Sequence, residues 1–116
     1  MSIERLHKGP RMSQVVKHGD TVYLAGQVAL DAKGAPVRDQ TKNILDRVDA
    51  LLAEAGTDKS KLLSATIWLS DMATFNEMNE VWDAWIDPEN PPARACVEST
   101  LAAPDFTVEI GIIAAA

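Results

Sequence analysis

Pro92-Ala93-Arg94-Ala95-Cys96-Val97-Glu98, followed after a turn by Val108-Glu109-Ile110, is the stretch on which the reading of this chain turns. Both segments have the composition and alternation of β-strands. The first carries an arginine in mid-strand. A planar guanidinium is expensive there unless its fork of donors meets a carboxylate or a similar anion. The second brings a glutamate. A hairpin symmetric about Ala103-Pro104 sets Glu98 opposite Glu109. Alternation then puts Arg94, Cys96, Glu98 and Glu109 on one side of the sheet. With two carboxylates near one guanidinium, one pairs with Arg94. The other, its pKa raised, exchanges protons with a bound molecule near neutral pH. The plainer alternative is a cross-strand Arg-Glu ion pair with no ligand. The first functional expectation is a small-anion site with carboxylates beside it.

Upstream, Ser13 to Lys17 and Thr21 to Ala25 read as two strands around the turn His18-Gly19-Asp20, an N-terminal hairpin ended by Gly26. That glycine marks a bulge or a close backbone approach. Ile44, Leu45, Val48, Leu51, Leu52 and Ala55 form one apolar stripe, predicting a helix from an N-cap at Asp39 to Gly56. Leu63, Ala65, Ile67 and Leu69 alternate with Ser64, Thr66, Trp68 and Ser70 and predict a strand. Thr74 and Glu77 have capping-box spacing, ahead of a helix with Phe75, Met78, Trp82 and Trp85 on one face. Pro88, Pro91 and Pro92 end it. The order β-β-α-β-α-β-β makes an α+β domain over residues 1–116, a mixed sheet with two helices on one face. The other face, carrying Thr66, Trp68 and Cys96, is too apolar for water, so it is expected to pack on further copies of the chain.

Composition narrows the function. A chain of 116 residues is one domain, and its size supports a core without disulfides or metal. The net charge of -6 argues against nucleic acid, and Lys59 and Lys61 are the only basic cluster. One cysteine and two histidines, His7 and His18, have no ligand-like spacing, so no metal is expected. No run approaches ~18 apolar residues and no signal peptide opens the chain, so no membrane is expected and the cytoplasm is the simplest location. Cys96 lacks a histidine near it in sequence, and a lone cysteine packs as a small hydrophobe. Its backbone N–H and C=O, next to Arg94, are the better candidates for contact with a ligand. Asn79, beside the apolar stripe of the second helix, is read as a structural hydrogen-bonder before a ligand contact. Trp82 and Trp85 are read as core or interface.

Val22-Tyr23-Leu24-Ala25-Gly26-Gln27, Gln40-Thr41, Asp71-Met72 with Phe75, Asn79, the Pro92–Glu98 block and Val108-Glu109-Ile110 together resemble the Rid/YjgF family, also labelled the L-PSP endoribonuclease family. The resemblance runs through nearly the whole chain, and Pro-Ala-Arg-x-Cys-Val with the later Val-Glu-Ile is its most specific part. It implies a chorismate-mutase-like fold and a homotrimer with ligand clefts between subunits. It also implies a deaminase without a cofactor, which hydrolyses 2-iminobutanoate- or 2-aminoacrylate-like intermediates to 2-keto acids and ammonia. Carried residue by residue, Arg94 matches the arginine that grips the substrate carboxylate. Glu109 matches the glutamate that positions the attacking water, and Cys96 the position offering backbone contacts. Asn79 belongs to the same pattern.

Two positions depart from the family's deaminase archetype: Met12 stands where it has a tyrosine, and Ala25 where it has a serine. Both missing hydroxyls belong to the ligand pocket, and losing a hydrogen-bonding group from a small site changes substrate choice strongly. The expected substrate-binding set is therefore Arg94, Cys96, Ala25, Met12 and Asn79, with Glu109 as the catalytic residue. The alternative is a trimer that binds 2-keto acids without turnover. Ribonuclease chemistry fits poorly with the acidic balance and the lack of a histidine pair.

Overall fold

The computed structural model describes residues 2–116. Its elements are β1 (Ile3–Lys8), β2 (Ser13–His18), β3 (Thr21–Leu24), β4 (Gln27–Val28), α1 (Val37–Glu54), β5 (Leu62–Leu69), α2 (Phe75–Trp85), β6 (Ala93–Glu98) and β7 (Val108–Ala115). The two long helices, the hairpin β2-β3 and the strands β5, β6 and β7 agree with the periodicity of the sequence. β1 and β4 were not anticipated. β1, IERLHK, is rich in charge and mostly exposed, as suits a sheet edge that must not recruit other strands. β4 is two residues long and exists only because β7 runs beside it.

The strands form one mixed sheet in the order β1-β2-β3-β7-β5-β6, with β4 also on β7. Every pairing is antiparallel except β5 with β6, which are joined through the crossover helix α2. The final strands therefore do not form a hairpin. β5 lies between β6 and β7, so Glu98 and Glu109 are not opposite one another. β7, buried at alternate positions, takes β3 and β5 as neighbours, whereas β6, mostly exposed, forms the edge beside β5.

Ile44, Leu45, Val48 and Leu52 of α1 and Met78 and Trp82 of α2 bury one face of the sheet, against Val15, Val22, Ile67, Leu69, Ile110 and Ile112. The opposite face presents Tyr23, Ser64, Thr66, Trp68 and Ile113, half-buried or exposed. Cys96 is not among them. It pairs with Ile67 and so shares the helix-covered face. Leu63 also departs from its expected inward set. An extra residue between the pairs Leu62↔Ala114 and Ser64↔Ile113 turns it outward as a β-bulge. No helix among the described residues is long and apolar enough to cross a membrane.

The helix ends differ in detail from their sequence signals. α1 starts at Val37 after Pro36, two residues before Asp39, which adds its charge to the first turn. Its C-terminus closes as expected on Gly56 (φ 84), with Gly56 N–H donating to Ala53 and Thr57 N–H to Leu52. The Thr74-Glu77 capping box does not form. Thr74 donates its hydroxyl to the Asp71 carbonyl, and Asp71 caps a 3-10 turn over Met72–Thr74 that leads into α2.

Gln40, fully buried on α1, links three segments. Its amide donates to the carbonyls of Ala35 and Asp105, and its oxygen accepts from the Thr107 N–H at 2.9 Å. The loop that leads into β7 is thereby tied to the helix layer. Gln40→Met keeps the volume but leaves these buried groups unpaired, and is expected to destabilise by about 3 kcal/mol. Urea unfolding measures this, and an unchanged midpoint would show the loop to be held by other contacts.

Candidate functional site

Arg94 emerges from edge strand β6 beneath α2. Its register partner Ala65 is buried against the helices, so Arg94 lies on the helix-covered face. Three residues of α2, spaced four and three apart, receive it. The Asn79 Oδ1 accepts from Nη1 at 2.8 Å, while the guanidinium carbon lies 5.9 Å from the Phe75 ring centroid and 5.3 Å from that of Trp82. The rings hold the fork flat through cation–π attraction. Among the described residues, Arg94 makes no ion pair; the acidic partners engaged elsewhere are Glu54, Glu80 and Asp46. Glu98, expected to flank it, instead accepts the Met72 N–H at 2.9 Å and secures the turn before α2.

Cys96 follows two residues along the same face. Burial pushes its thiol pKa up, opposed in part by the charge of Arg94, so it stays protonated at neutral pH. His7 and His18 lie on β1 and β2, across the whole sheet from it. Its backbone is better placed than its sulfur. Ser99 N–H donates to the Leu69 carbonyl. Since amides alternate along a strand, those of Ala95 and Val97 also face β5. The N–H and C=O of Cys96 then point to the free edge.

Glu109 occupies the other face. It pairs with Trp68 on β5 and Val28 on β4, both outside the helix-covered core. Four residue steps from Tyr23 to Gln27 match three from Ile113 to Ile110, so β3 passes into β4 through a bulge at Ala25-Gly26. The glutamate side chain rests against that bulge. A Cβ at Gly26 would lie 3.1 Å from its carboxyl carbon and closer still to one oxygen. Gln27, buried, secures the bulge by donating to the Ala25 carbonyl and to Gln14 Oε1. Partial burial raises the Glu109 pKa above the ordinary carboxylate value. Ala25 donates its N–H to the Gln14 carbonyl, and Met12, 47% exposed, ends the loop whose Gly9 N–H it accepts. Ala25 therefore borders the Glu109 carboxylate, while Met12 lies on the loop between β1 and β2.

The residues singled out in the sequence thus form two groups rather than one. Arg94, Asn79 and Cys96 gather on β6 and α2. Glu109 and Ala25 gather around the bulge, Met12 ends the loop before β2, and the sheet separates Glu109 from the Arg94 group. The expected hairpin of β6 with β7 is what put Arg94, Cys96 and Glu98 beside Glu109, and β5 between those strands removes it. Sequence reasoning makes Trp82 core or interface and Gly26 a bulge or close approach, and it does not place Phe75 or Trp82 against Arg94. The signal for Phe75 and Trp82 was the spacing Phe75-Asn79-Trp82, which puts an amide between two aromatics on one helical face.

The family model described as Endoribonuclease L-PSP matches residues 3–116. A RutC family protein of Haemophilus influenzae is 43% identical over 114 residues, covering 98% of each chain. The RutC family protein YoaB of Escherichia coli is 40% identical over 115 residues, covering 99% of each. A crystal structure of a YjgF protein family member from Neisseria meningitidis superposes with a TM-score of 0.95 at 42% identity, over 99% of this chain and 95% of that one.

Proposed function

Because the chain belongs to the Endoribonuclease L-PSP family of RutC and YjgF proteins, we propose that it hydrolyses 2-imino and enamine acids to 2-keto acids and ammonia, in clefts between the subunits of a homotrimer. The observation that carries this reading is the guanidinium of Arg94, flattened by Phe75 and Trp82, tied by Asn79 and without a carboxylate partner among the described residues. One edge of the fork is in use, and the rest suits a small carboxylate. Glu109 lies on the other face of the same sheet, so a second copy of the chain brings its glutamate to this arginine. The half-buried face around Trp68 and Tyr23 supports such an assembly. A cytoplasmic location belongs to the same reading.

The chemistry asks little of the protein. The carbon of an imine is already electrophilic. Arg94 orients the substrate by its carboxylate, and the Cys96 peptide edge hydrogen-bonds it. Glu109 takes a proton from the attacking water and passes it to nitrogen, giving the carbinolamine; it then carries the hydroxyl proton of that adduct to nitrogen, so that the carbonyl forms, the C–N bond breaks and ammonia leaves. The ribonuclease activity in the family's label finds less support. The net charge is -6, and both histidines sit on the sheet edge away from Arg94.

Imino acids made in situ by an amino-acid oxidase and trapped with semicarbazide test the reading. Faster loss of the trapped product with the protein is expected. No acceleration of any imino acid, with 2-keto acid binding retained, would reduce the site to a binding pocket.

Glu109 acts as a base only when ionised. Since burial raises its pKa, kcat/KM should fall as pH drops through a limb above the ordinary 4.5 of a glutamate. A limb at or below that value, in a pH–rate profile, would remove Glu109 from the proton transfer. Gly26→Ala tests its placement. The glycine has no positive φ, so alanine is tolerated by the backbone and only the carboxylate must move. Native stability with about a 10²-fold loss of turnover is expected, the scale of an ångström's misplacement. Unchanged turnover would mean that Glu109 has room to spare.

A further inference from the structure

Resting on the hydrolase reading, we propose that the preferred substrates are imino acids with a long apolar side chain, of leucine or methionine size, seated beside Arg94 in the recess between β6 and the start of α2. This recess of about 600 Å³ is lined by Met72, Ala73, Phe75, Asn76 and Cys96. It begins where the carboxylate grip ends. Phe75 touches the Arg94 guanidinium with its ring, and Cys96 follows Arg94 on the same face of the same strand. Two residues of strand span roughly 6–7 Å, comparable with the length of such a side chain.

The chemistry of the lining agrees with the size. Asn76 brings the only side-chain amide, and the Cys96 thiol is neutral. Beyond the recess stands the Glu98 carboxylate on the Met72 N–H, a charge that disfavours a second carboxylate on the substrate. The Glu109 side of the cleft is apolar as well. Ala25 flanks the glycine on which Glu109 rests. A substrate with one carboxylate, one C=N and an otherwise apolar body meets a matching group at each point. An alanine-derived imino acid leaves the recess to water.

The test compares kcat/KM for imino acids generated from leucine, methionine, alanine and glutamate, in the wild type and in Ala73→Phe. Ala73 is exposed on the turn before α2, so the larger side chain fills the recess without entering the core. The leucine- and methionine-derived substrates are expected to lead the alanine-derived one by about tenfold or more, and the glutamate-derived one to be the poorest. Ala73→Phe should bring the leucine-to-alanine ratio close to one. Equal rates for leucine- and alanine-derived substrates in the wild type, or an unchanged ratio in Ala73→Phe, would overturn the assignment and leave the hydrolase reading standing. If no imino acid is accelerated, the hydrolase reading itself has failed. Calorimetry on the wild type then decides the recess: tighter binding of the 2-keto acid of leucine than of pyruvate supports it, and equal binding overturns it.

Discussion

Arg94→Ala is expected to abolish 2-keto acid binding and to lower kcat/KM for every imino acid by about 10²–10³, the worth of two charge-assisted hydrogen bonds to a carboxylate. The fold should survive. Arg94 is exposed, and within the protomer it is held by one hydrogen bond to Asn79 and by two aromatic rings. Losing these costs on the order of 1–2 kcal/mol. Arg94→Lys separates charge from shape. It keeps the cation but loses the fork and much of the stacking, so a large part of the loss should remain. Isothermal titration with 2-ketobutyrate, beside a melting curve, reads both quantities. A collapse in stability would mean that Arg94 is a structural strut, and unaltered ligand affinity would remove it from the site.

The second large effect is a gain. Arg94→Ala and Glu109→Gln should each be close to inactive alone. Co-folded in equal amounts, they should recover about a quarter of wild-type activity if the proposed trimer forms, because that share of its interfaces would join an intact arginine to an intact glutamate. The expectation follows from the sheet. β6 places Arg94 on the helix-covered face, paired with Ala65, and β7 places Glu109 on the opposite face, paired with Trp68. If both residues of one site came from one subunit, no mixture would regain activity. Recovery therefore measures where the cleft lies as well as who builds it. A mixture that stays inactive while the single variants assemble normally would return the site to a single protomer.

The pair of variants also shows how far sequence patterns carry. The Pro92–Glu98 block was recognisable as a strand bearing an anion-binding arginine, and Val108-Glu109-Ile110 as a strand bearing a partnered glutamate. Alternation along the first strand was right: Arg94, Cys96 and Glu98 do share a face. The pairing of that strand with the second was wrong, because two strands adjacent in sequence are separated by β5 in the sheet. With that strand inserted, Glu98 moved from the site to the Met72 N–H. Gly26 shows the converse. A bulge or close approach was legible from a glycine at a strand end, but the group that approaches, the Glu109 side chain, sits 83 residues further along.

Local chemistry and periodicity therefore determined the types of the two helices and of β2, β3, β5, β6 and β7, the two amphipathic stripes, the glycine that closes α1 and the residue types able to hold a carboxylate. These depend on neighbours within a few positions, where the helical and strand repeats act directly. The tertiary structure alone decided that Arg94 is caged by Phe75, Asn79 and Trp82, that Glu109 rests on Gly26, and that the two groups face opposite ways. Strand order is set by which distant apolar faces bury one another best. A free energy summed over the whole core leaves no mark on any single stretch of chain.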